Sequence, residues 1–229
     1  MTTKVIAFDA DDTLWVNEPY FQETEKIFCK LMDNYLPPAE TSRELLKTEL
    51  KNISLYGFGV KSFVLSMIET AARVSDGQAN MELAGKIIEM GQVLLRKPVE
   101  LLDGVKEVLQ ELNGTYYLVL ATKGDLLDQE RKLQKSGLDK YFHHIEIMSD
   151  KKEEDYRKLF KRLNCRPEHF MMVGNSYKSD ILPVLELGGY AIYIPYHTTW
   201  AHEQADEEIE SPNCYKINCF SELITLLKK

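Results

Sequence analysis

What most constrains the fold of this chain is the alternation, from about residue 100 onward, of short β-forming runs with segments of helical period. "KVIAF" near the start, then "YYLVLAT" (116 to 122), "HIEIM" (144 to 148), "FMMVG" (170 to 174) and "YAIYIP" (190 to 195) are brief, mostly apolar and rich in β-branched, aromatic and other large apolar residues. Runs of that kind suit strands covered on both faces. Between the later runs lie "LLDQERKLQKSG", "EEDYRKLFKRLN" and "SDILPVLELGG". Each has apolar residues at helical spacing and ends on Gly or Asn, which close helices readily because they tolerate the left-handed conformation. Strand and helix in alternation predict an α/β fold: a doubly wound, Rossmann-like parallel sheet with helices on both faces.

The interval from residue 16 to 98 differs in kind. It shows no convincing strand, and "YFQETEKIFCKLMDNYL", "ETSRELLKTELKNISL", "VKSFVLSMIETAARV" and "MELAGKIIEMGQVLLRK" follow one another as amphipathic stretches broken by "LPPAE", "YGFG" and "SDGQAN". The expected organisation is a core from residues 1–15 and 99–229 with an all-helical insert at 16–98. With 229 residues, 44% of them apolar, the chain is long enough for both. "LDGVKEVLQELN" (102 to 113) then returns it to the sheet as a helix.

Where "KVIAF" stops, Asp9, Asp11 and Asp12 crowd three carboxylates into four positions. Open parallel sheets bind ligands outside the carboxyl ends of their strands, so acids placed there read either as a site or as a turn that caps the next helix. A calcium loop is excluded: counting from Asp9, Leu14 stands where the sharp-turn Gly belongs and Tyr20 where the bidentate Glu belongs. No phosphate-binding P-loop motif occurs. Polar groups recur at the later strand ends: Thr122 and Lys123 in "VLATKGD", Lys151 and Lys152 in "MSDKKEEDY", Asn175 and Asp180 in "MVGNSYKSD". In a parallel sheet these ends share one rim. For Asn175 and Asp180 a turn followed by a helix cap is the competing reading.

The net charge of −8, with no basic run, argues against nucleic acid as the main partner. No window approaches the length of a membrane span, and the opening "MTTKVIAF" lacks the pattern of a secretion signal, so a cytoplasmic protein without membrane contact is expected. The four cysteines form no C-x-x-C pair and no zinc spacing, which predicts reduced, mostly buried thiols. His197, Trp200 and His202 follow the fifth strand and read either as a rim of the site or, preferably, as a solvated loop.

Taken in order, Asp9-Ala10-Asp11-Asp12-Thr13-Leu14, then Thr122, then Lys151 or Lys152, then Gly174-Asn175 through Asp180, with a helical insert between the first two motifs, the chain resembles the haloacid dehalogenase-like hydrolases. The resemblance implies a Mg²⁺-dependent phosphatase acting on a small phosphomonoester, similar to the branch containing phosphoglycolate phosphatases and nucleoside 5′-monophosphatases, with the insert as a helical cap. It implies that Asp9 is the nucleophile of an aspartyl-phosphate intermediate and that Asp11 is the general acid. Thr122, Lys123 and a lysine after the third strand would hold the phosphate. Lys151 is preferred to Lys152 there because it lies closer to the strand end. Asp9, Asp11 through its backbone carbonyl, Asn175 and Asp180 are the implied metal ligands, with Asp180 alternatively an anchor for the lysine. Asn175 departs from the family pattern, which has an aspartate there. Two other readings remain: a dehalogenase, against which Asp11 counts, and a catalytically silent binder of Mg²⁺ or phosphate, motivated by Asn175.

Overall fold

A computed structural model describes residues 3–203 and 211–228. The chain divides into two compact units, Met1–Glu18 with Val99–Lys229, and Pro19–Pro98.

The first unit is built on a six-stranded, wholly parallel sheet. Its strands are β1 (Val5–Phe8), β2 (Tyr117–Lys123), β3 (His144–Met148), β4 (Phe170–Gly174), β5 (Tyr190–Tyr193) and β6 (Cys214–Lys216), in the order β3-β2-β1-β4-β5-β6. The expected doubly wound sheet is thus what the chain forms, with β6 as an addition. β6 is three residues long and partly exposed, so it carries no apolar run that would mark it in sequence. The chain lays β2 and β3 on one flank of β1 and then crosses to lay β4 on the other. The winding therefore reverses between β1 and β4, and a crevice opens at their carboxyl ends.

Strand periodicity explains why this sheet must be covered twice. Ile6 and Phe8 of β1, Leu118 and Leu120 of β2, and Met171 and Val173 of β4 point to one face, where they meet Val105, Val108 and Leu109 of helix α5 (Val105–Leu112) and Leu223 of the C-terminal helix. Val5, Ala7, Val119, Ala121, Phe170 and Met172 point to the other and pack on Tyr156, Leu159 and Phe160. Burying a large aliphatic or aromatic side chain is worth roughly 1.5–3 kcal/mol, so both layers contribute substantially to the stability of this unit.

The second unit contains nearly all of α1 (Glu18–Leu31) together with α2 (Pro38–Tyr56), α3 (Val60–Val74) and α4 (Met81–Arg96). Phe28, Met32, Leu45, Phe63, Met67 and Ile87 form its core. Helices α3 and α4 approach closely at Gly91, where an added Cβ would lie 2.2 Å from Val64 Cγ2. Residues 16–18, which the helical pattern assigned to the insert, belong to the sheet unit instead. The Val16 N–H donates to Glu100 O (2.9 Å), and the Asp12 carboxylate accepts from the N–H groups of Asn17 and Glu18 (both 2.9 Å). All four cysteines are unpaired, yet Cys29 alone is buried and Cys219 is exposed, contrary to the expectation of mostly buried thiols. Among the described residues no helix is long and apolar enough to cross a membrane.

Candidate active site

The three acids after β1 are separated by a tight turn into three different jobs. Ala10 O accepts from the N–H groups of Thr13 (3.3 Å), Leu14 (2.8 Å) and Trp15 (3.3 Å), which coils the chain directly beyond the strand. Asp12 sits at φ 61°, a left-handed conformation that Asp adopts more readily than most residues. From there its carboxylate caps the entry to α1, so for this acid the capping reading applies.

Asp9 follows β1 directly and is buried. Its backbone N–H donates to Val173 O (2.9 Å), its Oδ2 lies 3.1 Å from Thr13 Oγ1, and its Oδ1 receives the ammonium of Lys151. That ammonium also donates to Asp180 Oδ1 (2.7 Å), and the Asp180 Oδ2 accepts the Ser176 N–H (3.0 Å). The side chains of Lys151 and Asp180 are each 1% exposed. Burial pushes the Asp9 carboxyl up, opposed by Lys151 and reinforced by the charge of Asp180. For Lys151 burial works against the charge, but Asp180 and Asp9 outweigh it and raise the ammonium above its ordinary range. The cluster therefore holds two carboxylates against one cation out of water. Gly174 permits the arrangement: a Cβ there would lie 2.3 Å from Asp180 Oδ2. Lys152, by contrast, is exposed and pairs with Asp150 (2.8 Å).

The structure brings Asn175 to the same place. Thr13 Oγ1 is 3.1 Å from Asn175 Oδ1 as well as from Asp9, so one hydroxyl proton is shared between them. Thr122 is buried at the end of β2, and its hydroxyl makes a 3.5 Å contact with Lys123 O, too long for a strong bond. Lys123 departs from expectation. Its ammonium donates to Ser179 Oγ (2.8 Å) and pairs with Glu203, so its charge is taken up inside the protein rather than offered to a phosphate. Glu203 also accepts from Ser179 Oγ (2.8 Å) and from Ser176 Oγ. Burial opposes its ionisation, but Lys123 and these hydrogen bonds prevail and hold the carboxyl at about 2. Nothing in the sequence distinguished Glu203 from the other acids of its polar loop.

Asp11 turns toward helix α6 (Leu126–Ser136). Its Oδ1 accepts from Trp15 Nε1 (2.7 Å) and Lys132 Nζ (2.6 Å), and its Oδ2 from Gln129 Nε2 (2.7 Å). Gln129 is buried, and its amide is oriented by two acceptors, Asp11 and Lys123 O (3.1 Å), while its own Oε1 stays unpaired. Gly124, at φ +139°, leaves room for it: a Cβ would stand 3.0 Å from Gln129 Nε2. The Gln129 amide, fixed by these two acceptors, in turn fixes Asp11.

A hard cation suits part of this set. Asp9 and Asn175 present oxygen donors on either side of one hydroxyl, next to uncompensated negative charge, and Mg²⁺ uses one or two carboxylates with water and substrate phosphate completing its shell. Among the described residues no three His, Cys, Asp or Glu side chains converge as a metal cluster. The expected participation of the Asp180 carboxylate finds no support here, because its oxygens are committed to Lys151 and the Ser176 N–H.

Known proteins share this arrangement of sheet and helices. A crystal structure of a haloacid dehalogenase-like family hydrolase from Xanthomonas campestris is 35% identical, with a TM-score of 0.88 over 99% of this chain and 91% of that one. Mouse N-acylneuraminate-9-phosphatase is 26% identical over 70% of this chain and 65% of its own length. Glyceraldehyde 3-phosphate phosphatase from Pyrococcus furiosus is 26% identical over 55% and 54%. The chain thus spans less than two thirds of either curated relative. Residues 3–188, which run from β1 past the Asn175 and Asp180 turn, match the family model for haloacid dehalogenase-like hydrolases. With the sheet, the inserted helices and the strand-end residues in this order, the chain belongs to the haloacid dehalogenase-like hydrolases.

Proposed function

We propose that this protein is a divalent-cation-dependent phosphatase that hydrolyses a small phosphomonoester through an aspartyl-phosphate on Asp9. The observation that carries the reading is the Asp9–Lys151–Asp180 cluster at the reversal of winding, where a carboxylate is held out of water beside a fixed cation.

In the first step an Asp9 oxygen attacks phosphorus, the bond from phosphorus to the ester oxygen breaks, and Asp11 gives the departing oxygen its proton. Lys151 and the Thr122 hydroxyl hold the phosphoryl oxygens as charge spreads over them, and Asp180 keeps Lys151 in place. In the second step water attacks the same phosphorus, Asp11 takes up its proton, and inorganic phosphate and free Asp9 result. A bound Mg²⁺, held by Asp9 and Asn175, supplies charge neutralisation between the anionic nucleophile and the anionic substrate. Because Asn175 is neutral, that cation meets one charge fewer than an aspartate at this position would provide.

Hydrolysis of p-nitrophenyl phosphate with and without Mg²⁺ is the first test. The substrates in the names of the curated relatives, N-acylneuraminate 9-phosphate and glyceraldehyde 3-phosphate, head the screen that follows. Asp9→Asn is nearly isosteric and should lose more than about 99% of turnover, as expected when a nucleophile is removed, while the melting profile stays cooperative. Substantial steady turnover by that variant would remove Asp9 from the nucleophile role.

A further inference from the structure

The donors around Asp11 use its two oxygens unequally. Oδ1 accepts two bonds, from Trp15 Nε1 (2.7 Å) and Lys132 Nζ (2.6 Å), which occupy both of its lone pairs. Oδ2 accepts one, from Gln129 Nε2 (2.7 Å), and keeps a second lone pair for a proton. The Asp11 side chain is 24% exposed, so the carboxyl is open to a ligand, whereas Gln129 at 3% is sealed from one and acts only through Asp11.

The direction of the spare lone pair is set by the Gln129 amide. Its NH₂ group donates to Asp11 Oδ2 and to Lys123 O (3.1 Å), so reversing the amide would set an oxygen against two acceptors. Backbone and core hold the side chain in place. The Gln129 N–H donates to Asp125 O (2.9 Å), the Asp125 carboxylate caps α6 at the Asp128 N–H (3.2 Å), and one turn on Leu133 is buried in the core. One planar group thus ties Asp11 Oδ2 to the turn that follows Thr122. We propose that Oδ2 is the oxygen through which Asp11 gives and takes its proton, and that Gln129 is a positioning residue that aims it at the phosphoryl group.

The inference rests on the phosphatase reading. In the acid form Oδ1 is the carbonyl oxygen facing Trp15 and Lys132, while Oδ2 carries the hydroxyl and still accepts from Gln129. As the bond from phosphorus to the ester oxygen breaks, that oxygen takes the Oδ2 proton. When water attacks the aspartyl-phosphate, its proton passes to the same Oδ2 as the bond from Asp9 to phosphorus breaks, which restores the acid. Both steps use the aimed oxygen, except that nitrophenolate departs without a proton, so with nitrophenyl phosphate only the second step needs it.

That difference supplies the test. Gln129→Met keeps the length of the side chain and removes the donor. Rapid-mixing measurement of nitrophenol release from p-nitrophenyl phosphate, in Mg²⁺ buffer, is compared for wild type and variant. The first nitrophenol per active site should leave the variant about as fast as wild type, and later turnovers should be on the order of 10- to 100-fold slower, as aspartyl-phosphate waits for an aimed base. First and later turnovers slowed together, the mark of general loosening, or neither slowed, overturn the positioning role and leave the phosphatase reading standing. A wild type that hydrolyses no phosphomonoester overturns both. Should Gln129→Met fail to fold, Gln129→Asn carries the test with the same expectation, since it keeps the amide but withdraws it by one methylene.

Discussion

Replacing Asp180 with Asn removes one charge from the buried cluster at constant size, and the structure gives the cost. The two Asp180 oxygens face two donors, Lys151 Nζ at 2.7 Å and the Ser176 N–H at 3.0 Å. An amide has one acceptor and one NH₂ group, so in either orientation a buried donor is set against a donor, at about 1–3 kcal/mol. Breaking a buried ion pair by deleting one partner costs about 3–5 kcal/mol when the remaining charge is left alone. Here Lys151 keeps Asp9, and the repulsion between the two carboxylates disappears, so a net loss of roughly 2–4 kcal/mol is expected. For a chain of this size that corresponds to a fall in melting temperature on the order of 10 °C. Both tryptophans, Trp15 and Trp200, lie in the sheet unit, so fluorescence-monitored unfolding reads the affected part. Turnover should fall about 10- to 100-fold as Lys151 loses its anchor. Saturating Mg²⁺ should not restore it, whereas loss of a metal ligand would be compensated by excess metal. A melting temperature close to wild type, or full recovery of turnover at high Mg²⁺, refutes the reasoning.

Gly174→Ala places a Cβ 2.3 Å from Asp180 Oδ2 and should reproduce the turnover defect of Asp180→Asn although the charge is kept; normal turnover would show that the neighbouring backbone yields. Lys132→Met removes one of the three donors on Asp11 and should depress turnover of alkyl phosphates several-fold more than that of nitrophenyl phosphate, whose leaving group needs no proton; equal losses would make Lys132 a packing residue. Glu203 titrates at about 2 in the folded protein against an ordinary 4.5, so its contribution is present above pH 4.5 and is lost as pH falls toward 2. That contribution is on the order of 3 kcal/mol. Urea titrations should therefore show the stability gap between wild type and Glu203→Gln closing across that interval, and a constant gap would place the effect elsewhere.

The sheet was legible in the sequence because its information is local. Ile6 and Phe8 alternate with Val5 and Ala7, and runs of this kind, apolar on both faces, suit strands buried between two helical layers. The acids, Thr122 and the lysines at the strand ends were legible for a related reason, since parallel strands deliver their carboxyl ends to one rim. What each side chain does there was not legible. Lys151 and Lys152 are adjacent and chemically identical, yet one is sealed between Asp9 and Asp180 while the other faces solvent, and only the path of the chain beyond β3 separates them. Asp9, Asp11 and Asp12 look alike in sequence, yet each takes a different role because its partners come from elsewhere: Lys151 from 142 residues away, Gln129 and Lys132 from α6, and the N–H groups at the head of α1. Glu203 left no local trace, since its partners are brought to it by the ends of β2 and β4. Propensity and periodicity act over a few residues and determine where strands and helices form. The pairing of buried charges acts through space, and the tertiary structure alone decides it.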